Sequence, residues 1–274
     1  MRPHSPALRK LLRLALVAPL CGLASFERRP LMTGATGGTS APDGPTPTPM
    51  DQALPDWRGV VLRANRWRTQ RFNPSYWSEP KLGDYGWSLR NAAIVDGELR
   101  LSVTEQASGQ VQAWDRALAT RALWEVDVTL PAMAPGLVAA PLWTYNRATL
   151  EESDFEIVGV KGLFVTLWAR VDGKHTAVWD NGGAPILSGD LSGRRLRLAM
   201  AYEAGRSVTY FVDGRPVALA TPADAKGGHF PTGPQKAYLD LWVAAGLDPG
   251  WAGAWRAMGA GQSADMVVHG YRQA

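Results

Sequence analysis

The stretch Glu151-Glu152-Ser153-Asp154-Phe155-Glu156-Ile157-Val158-Gly159 decides how this chain is read. As a β-strand, its side chains alternate between two faces. Glu152, Asp154 and Glu156 then share one face, while Ser153, Phe155 and Ile157 share the other. Three acids along one side of a strand, backed by apolar residues, is a costly arrangement. Like charges that close repel, so at least one carboxyl must have its pKa raised.

One carboxyl held protonated beside one left ionised is the pair that cleavage of a glycosidic bond needs. On a concave strand, two glutamates four residues apart, about 13 Å at Cα, lean together until their carboxyls are about 5–6 Å apart. That suits the separation of about 5–5.5 Å used by glycosidases that retain anomeric configuration. Asp154, the shorter acid between them, is placed to hydrogen-bond one glutamate. A solvated acidic face is the plainer reading of so short a motif, and the rest of the chain has to decide between the two.

With 274 residues, 46% of them hydrophobic, the chain can bury a large core, and an all-β sandwich of this size can be one domain. The net charge of +4 comes from the N-terminus: residues 1–25 hold Arg2, Arg9, Lys10 and Arg13 and no acid. Without them 29 − 4 = 25 basic residues face 25 acidic ones, so nucleic-acid binding loses its electrostatic support. Residues 1–25 read as a secretory signal or anchor, with an apolar run from Leu14 to Ala24 that falls short of the roughly 20 residues needed to span a bilayer. A secreted or periplasmic protein with no stable membrane span in its mature form is expected. Cys21 is the only cysteine and lies in this leader, so no disulfide or thiol chemistry is expected beyond it. Residues 26–55, rich in Pro, Gly, Thr and Ser, read as a disordered linker. Residues 56–274 read as the folded domain.

From Trp57 onward the apolar period is mostly two. Leu99, Leu101 and Val103 share a face, as do Trp124, Val126, Val128 and Leu130, then Leu163, Val165, Leu167 and Ala169, then Leu196, Leu198, Met200 and Tyr202. Asp96-Gly97, Asp172-Gly173 and Asp213-Gly214 are hairpin signals. No segment after the leader carries a convincing amphipathic helix. Many strands with tight turns and no βαβ alternation predict an all-β sandwich or jelly roll.

The order of several pieces resembles glycoside hydrolase family 16, the lichenases, laminarinases and xyloglucan endotransglycosylases, and above all the lichenase-type and exopolysaccharide endo-β-glycanases. These pieces are Phe72-Asn73-Pro74-Ser75-Tyr76-Trp77, Asp96-Gly97-Glu98-Leu99-Arg100-Leu101, Leu123-Trp124-Glu125-Val126, Trp143-Thr144-Tyr145 before the E-x-D-x-E strand, Tyr210-Phe211-Val212-Asp213-Gly214, and Leu239-Asp240-Leu241-Trp242 followed by Trp251-Ala252-Gly253. The resemblance covers roughly Arg71 to the C-terminus. It implies a concanavalin A-like jelly roll of two curved antiparallel sheets, a polysaccharide substrate along the concave one, and a monomer. It also implies Glu152 as nucleophile, Glu156 as general acid/base and Asp154 as the residue that tunes them. No cofactor is implied beyond a structural calcium whose ligands the sequence does not identify.

Trp143, Tyr145 and Trp242 are read as platforms on which sugar rings stack, with Asp240 beside Trp242 on the cleft side and Trp168 placed evenly between cleft and core. His175 follows a Gly-Lys turn, where a solvated histidine is the ordinary outcome. The four histidines are scattered and no catalytic metal spacing occurs. Ser153 stands where an aliphatic residue is normal in the family, which predicts weakened core packing. Asp240 stands where lichenases have an amide, which leaves open which glycan is bound.

Overall fold

The computed structural model describes residues 72–74, 86–113, 118–244 and 249–274. The expected leader, the linker, and Ser75-Tyr76-Trp77 of the first family-like piece lie outside the described residues.

The described strands are β1 (Phe72–Pro74), β2 (Gly86–Trp87), β3 (Ala92–Val95), β4 (Glu98–Thr104), β5 (Ala107–Ala113), β6 (Arg121–Thr129), β7 (Leu137–Asn146) and β8 (Glu151–Val158). They continue with β9 (Gly162–Val171), β10 (Lys174–Trp179), β11 (Leu187–Ser188), β12 (Arg195–Glu203), β13 (Ser207–Val212), β14 (Arg215–Ala220), β15 (Lys236–Val243) and β16 (Ser263–Gln273). One short helix, α1 (Pro249–Ala252), precedes β16.

They form two sheets, antiparallel apart from a short parallel contact between β2 and β5. The nine-stranded sheet runs β1-β5-β15-β7-β8-β9-β10, with β11 beside β9 and β2 beside β5, and the seven-stranded sheet runs β14-β13-β12-β6-β16-β4-β3. Strand β8 therefore lies inside the larger sheet, with β7 and β9 as neighbours. The expected two-sheet jelly roll is the fold observed.

The core lies between the sheets and is built from the period-two faces. Leu99, Leu101, Val103, Trp124, Val126 and Val128 meet Phe155, Ile157, Leu163, Val165, Leu167, Leu239 and Leu241 there, all buried. The three Asp-Gly turns adopt positive φ at both central residues (52° and 86°, 50° and 77°, 51° and 79°), the backbone whose twist matches that of paired strands.

Ser153 does not leave the core slack. It is fully buried, and its hydroxyl donates to Gln235 Oε1 at 3.3 Å, where Thr144 Oγ1 also donates at 2.5 Å. A side-chain hydrogen-bond cluster fills the place an aliphatic group would take.

Strand β7 departs from simple alternation. Ala139 faces Ile157 and Leu142 faces Phe155, so Ala140 and Pro141 together oppose Glu156. Pro141 lacks an N–H to give to the ladder, and a bulge is where a strand interior tolerates it. A second irregularity falls between Tyr238 and Asp240 of β15, against the same part of β7. Bulges bend a strand and re-aim its side chains, and both irregularities fall on β7, one against β8 beside Glu156 and one against β15 beside Asp240.

Candidate active site

Glu152, Asp154 and Glu156 project from the face of β8 opposite its core residues, yet all three are largely withdrawn from water, with Asp154 at 2% and Glu156 at 9% exposure. Side chains on neighbouring strands rise around them. Tyr145 of β7 and Trp168 of β9 flank Glu152, Trp143 and Thr166 flank Asp154, and Phe164 stands beside Glu156. The acids thus form a floor set among larger side chains on the outer face of the sheet.

Each acid is held differently. Trp168 Nε1 donates to Asp154 Oδ2 at 2.8 Å. Burial pushes the Asp154 carboxyl up to about 7, while hydrogen bonds from Trp168 and Thr166 pull against that rise. Burial also carries Glu152 and Glu156 well above the carboxylate range, the charge of Asp154 adds to both, and Glu152 and Asp154 hydrogen-bond to one another. Two carboxyls hydrogen-bond only by sharing a proton, and the raised values on both sides favour one proton held between them.

Asp240 on β15 is a fourth acid on this floor, 3% exposed. Its Oδ2 accepts from Gln110 Nε2 at 3.0 Å and from Trp143 Nε1 at 2.9 Å. Burial raises it to about 7, opposed by those two donors and reinforced by the charge of Asp154. Among the described residues no Lys or Arg forms an ion pair with any of the four carboxyls.

Several polar atoms on this floor are buried without a partner among the described residues: Gln110 Oε1, Asp240 Oδ1 and His175 Nε2. Asp154 Oδ1 likewise meets no donor unless Glu152 is protonated. Unmet buried polar atoms cost stability, and these lie on strands β5, β15, β8 and β10 of the one sheet.

The predicted aromatics fall into two groups. Trp143 is partly exposed, stacks on Tyr238 (4.4 Å between centroids, 26°), and lies 5.9 Å from the Tyr145 ring. Trp242 is on the same outer face but is covered. It packs with Val138, Val158 and Ala252 in a second apolar cluster and lies 5.8 Å from the Trp251 ring, beneath α1. Trp168 is covered by the His175 ring and spends its N–H on Asp154, so it braces the acids from the side instead of offering a face to sugar.

His175 departs most from the sequence reading. It is not a solvated loop residue. It lies on β10, stacks on Trp168 (4.9 Å, 28°), and brings Nε2 to 3.5 Å from Glu152 Oε2. A lone histidine after a turn offers no local sign of this, because the register of β10 on β9 sets it. Tyr238 was within reach of sequence reasoning, since it shares parity with Asp240 and Trp242. Gln110 was not, because β5 is buried along nearly its whole length and shows no alternation.

Among the described residues no group of three or more His, Cys, Asp or Glu side chains is arranged to hold a metal ion, so the calcium implied by the family resemblance finds no side-chain cage there. No helix among them is long and apolar enough to cross a membrane.

The fold places the chain among two-sheet jelly rolls. No protein-family model matches the sequence, and no curated protein matches it. Solved structures do match in fold. A prokaryotic β-1,3-1,4-glucanase (lichenase) derived from a mouse hindgut metagenome is 21% identical over 74% of this chain and 92% of its own, with a TM-score of 0.56. A family 16 glycoside hydrolase of a Bacteroides ovatus mixed-linkage glucan locus, in complex with a product, is 13% identical over 75% and 95%, with a TM-score of 0.57. The Crh5 transglycosylase in complex with NAG is 16% identical over 78% and 80%, with a TM-score of 0.55. These structural neighbours are family 16 glucanases and a related transglycosylase, and this chain shares their jelly roll.

Proposed function

We propose that the chain is a secreted or periplasmic endo-acting glycoside hydrolase that cleaves a β-linked glucan or exopolysaccharide with retention of configuration. The observation that carries this reading is the set of buried acids on one strand, unpaired with any Lys or Arg among the described residues and adjoining further buried polar atoms that lack partners there. Such a floor weakens the fold, since buried charge is costly, so its use lies in chemistry.

The double displacement runs as follows. Glu152 as carboxylate attacks the anomeric carbon while Glu156, kept protonated by burial and by the neighbouring charge of Asp240, gives its proton to the departing glycosidic oxygen. The C–O bond breaks and a glycosyl ester forms on Glu152. Glu156, now ionised, takes a proton from the incoming water, whose oxygen bonds to the anomeric carbon as Glu152 departs. Asp154 tunes Glu152 through their shared proton. Trp143, the partly exposed aromatic, is the surface against which a sugar ring packs, with the buried rings of Tyr145 and Tyr238 holding it in place rather than meeting sugar as the sequence suggested for Tyr145, and Asp240 with Gln110 accepts from sugar hydroxyls. A floor of four acids disfavours uronate and sulfated polymers, which supports an uncharged glycan as substrate.

A sugar hydroxyl in place of water at the second step makes the same floor a transglycosylase, the reading that the fold shared with Crh5 favours. Product lengths from a defined oligosaccharide separate the two. The central test is Glu152→Gln and Glu156→Gln assayed for new reducing ends on a panel of β-glucans and bacterial exopolysaccharides. Each substitution is expected to abolish turnover while the protein stays folded. Hydrolysis at the wild-type rate by either variant would overturn the assignment.

A further inference from the structure

His175 has no part in the double displacement as written, yet it touches the attacking group. We propose that His175 is a positioning residue for Glu152: its Nε2–H donates to Glu152 Oε2, so that the proton shared with Asp154 rests on Asp154 and Glu152 stands ionised for attack. The proposal rests on Glu152 being the nucleophile.

Three observations carry it. His175 Nε2 lies 3.5 Å from Glu152 Oε2 and has no other partner, although it is buried. A buried N–H without an acceptor is costly, and the nearest acceptor is this carboxyl. The ring cannot swing away, because one face stacks on Trp168 (4.9 Å, 28°) and Tyr145 meets it edge-on at 6.0 Å. Trp168 in turn holds Asp154 Oδ2, so one aromatic side chain aligns both His175 and the carboxyl that shares a proton with Glu152. The 3.5 Å separation is long for a hydrogen bond, and contacts of this kind tighten when substrate closes over the site.

The charges around the pair work against an ionised Glu152, and the N–H of His175 is the group that counters them. Facing Glu152 are Asp154 and Glu156 on its own strand and Asp240 across the sheet on β15. Arg147 and Arg170 lie against the adjoining Tyr145, and Lys236 is paired with Tyr145 in register. Burial lowers the His175 imidazole to about 4, so the ring is neutral in the working range and carries a single N–H. The step is balanced: the proton leaves the Glu152 carboxyl for the Asp154 carboxylate, and no solvent proton is consumed. An N–H aimed at Glu152 favours its ionised form, opposing the burial and like charges that hold it protonated.

Two variants and a spectrum test this. His175→Phe keeps the ring stack and removes the donor, whereas His175→Gln returns an N–H at similar reach. His175→Phe is expected to lower kcat roughly tenfold or more with KM within about twofold. The acid limb of its pH profile moves to higher pH, because Glu152 has lost a group that favoured its ionised form. His175→Gln recovers most of the rate. In wild-type protein, 15N NMR is expected to find His175 neutral at pH 6 and protonated on Nε2, and Glu152→Leu is expected to shift that N–H signal. Equal losses in both His175 variants, or a His175→Phe enzyme with the wild-type rate and pH limb, would overturn the proposal. So would an Nδ1-protonated ring or an N–H signal indifferent to Glu152→Leu. If wild-type protein cleaves no glycan the hydrolase reading falls, while the NMR measurement still decides the contact.

Discussion

Replacing Asp240 by Asn should strengthen the fold, and by an amount that depends on pH in a defined way. The carboxyl is 3% exposed, and burial raises it from 3.8 to about 7. Below pH 4 it is protonated in both folded and unfolded chains and costs nothing. Between pH 4 and 7 the unfolded chain ionises while the folded one holds its proton, so stability falls as pH rises. Above pH 7 both are ionised and the full penalty stays. At 1.36 kcal/mol for each pH unit between the two values, the penalty is about 4 kcal/mol at most. Part of the rise comes from the charge of Asp154, which titrates over the same range, so a gain of about 2–4 kcal/mol is expected for Asp240→Asn at pH 9. The amide oxygen still accepts from Gln110 Nε2 and Trp143 Nε1, which isolates the charge as the variable. Urea unfolding followed by tryptophan fluorescence at pH 4, 6, 8 and 9 measures it. Near-coincident curves at pH 4 that separate up to pH 7 and then run parallel are the expected result. A gain of equal size at pH 4 and pH 9, or none at pH 9, would refute the reasoning.

Trp168→Phe removes the donor 2.8 Å from Asp154 Oδ2 and should raise the titration of that carboxyl above its value of about 7 by roughly one unit, read by 13C NMR; an unchanged titration would show that the indole does not hold it. Phe155→Ala empties a fully buried site whose ring meets Tyr210 edge-on at 5.1 Å, and should cost about 3–5 kcal/mol in urea unfolding. A loss under about 1 kcal/mol would mean that β8 does not present this face to the core. Gly162→Ala places a Cβ 2.0 Å from the backbone oxygen of Leu187 at a φ of +128°, so little soluble protein is expected; a wild-type yield and melting temperature would contradict the pairing of β9 with β11.

The fold was legible wherever one face of a strand is apolar and the other is not. Leu99, Leu101 and Val103 alternate with partly exposed neighbours in β4, and the pattern reads itself. It fails in β15, where all eight residues are buried, and in β7, where the extra residue at Ala140-Pro141 breaks parity midway. In both, cover comes from residues far along the chain, which no local period encodes. The acidic strand was legible for the opposite reason, because acids repeated at spacing two above Phe155 and Ile157 have few uses. What surrounds those acids was less so. Trp242 shares a face with Asp240 as expected, but Val138, Val158 and α1 converge on it from three separate segments. His175 reaches Glu152 only through the register Ala177 opposite Trp168 and Trp168 opposite Glu152.

All four carboxyls stand within strands rather than in the connections between them, and the strands that carry them are anchored by a core on their reverse side. The connecting segments 146–150 and 230–235 are fastened to the acidic strand itself, through Glu151, which accepts from Thr149, Thr232 and Gly233, and through Gln235, which accepts from Ser153 and Thr144. A loop exchanged at this border therefore has to keep the partners of Glu151 and Gln235, or it disturbs the strand one residue away from Glu152, so variation of such a scaffold is freest where the connections do not touch these two side chains.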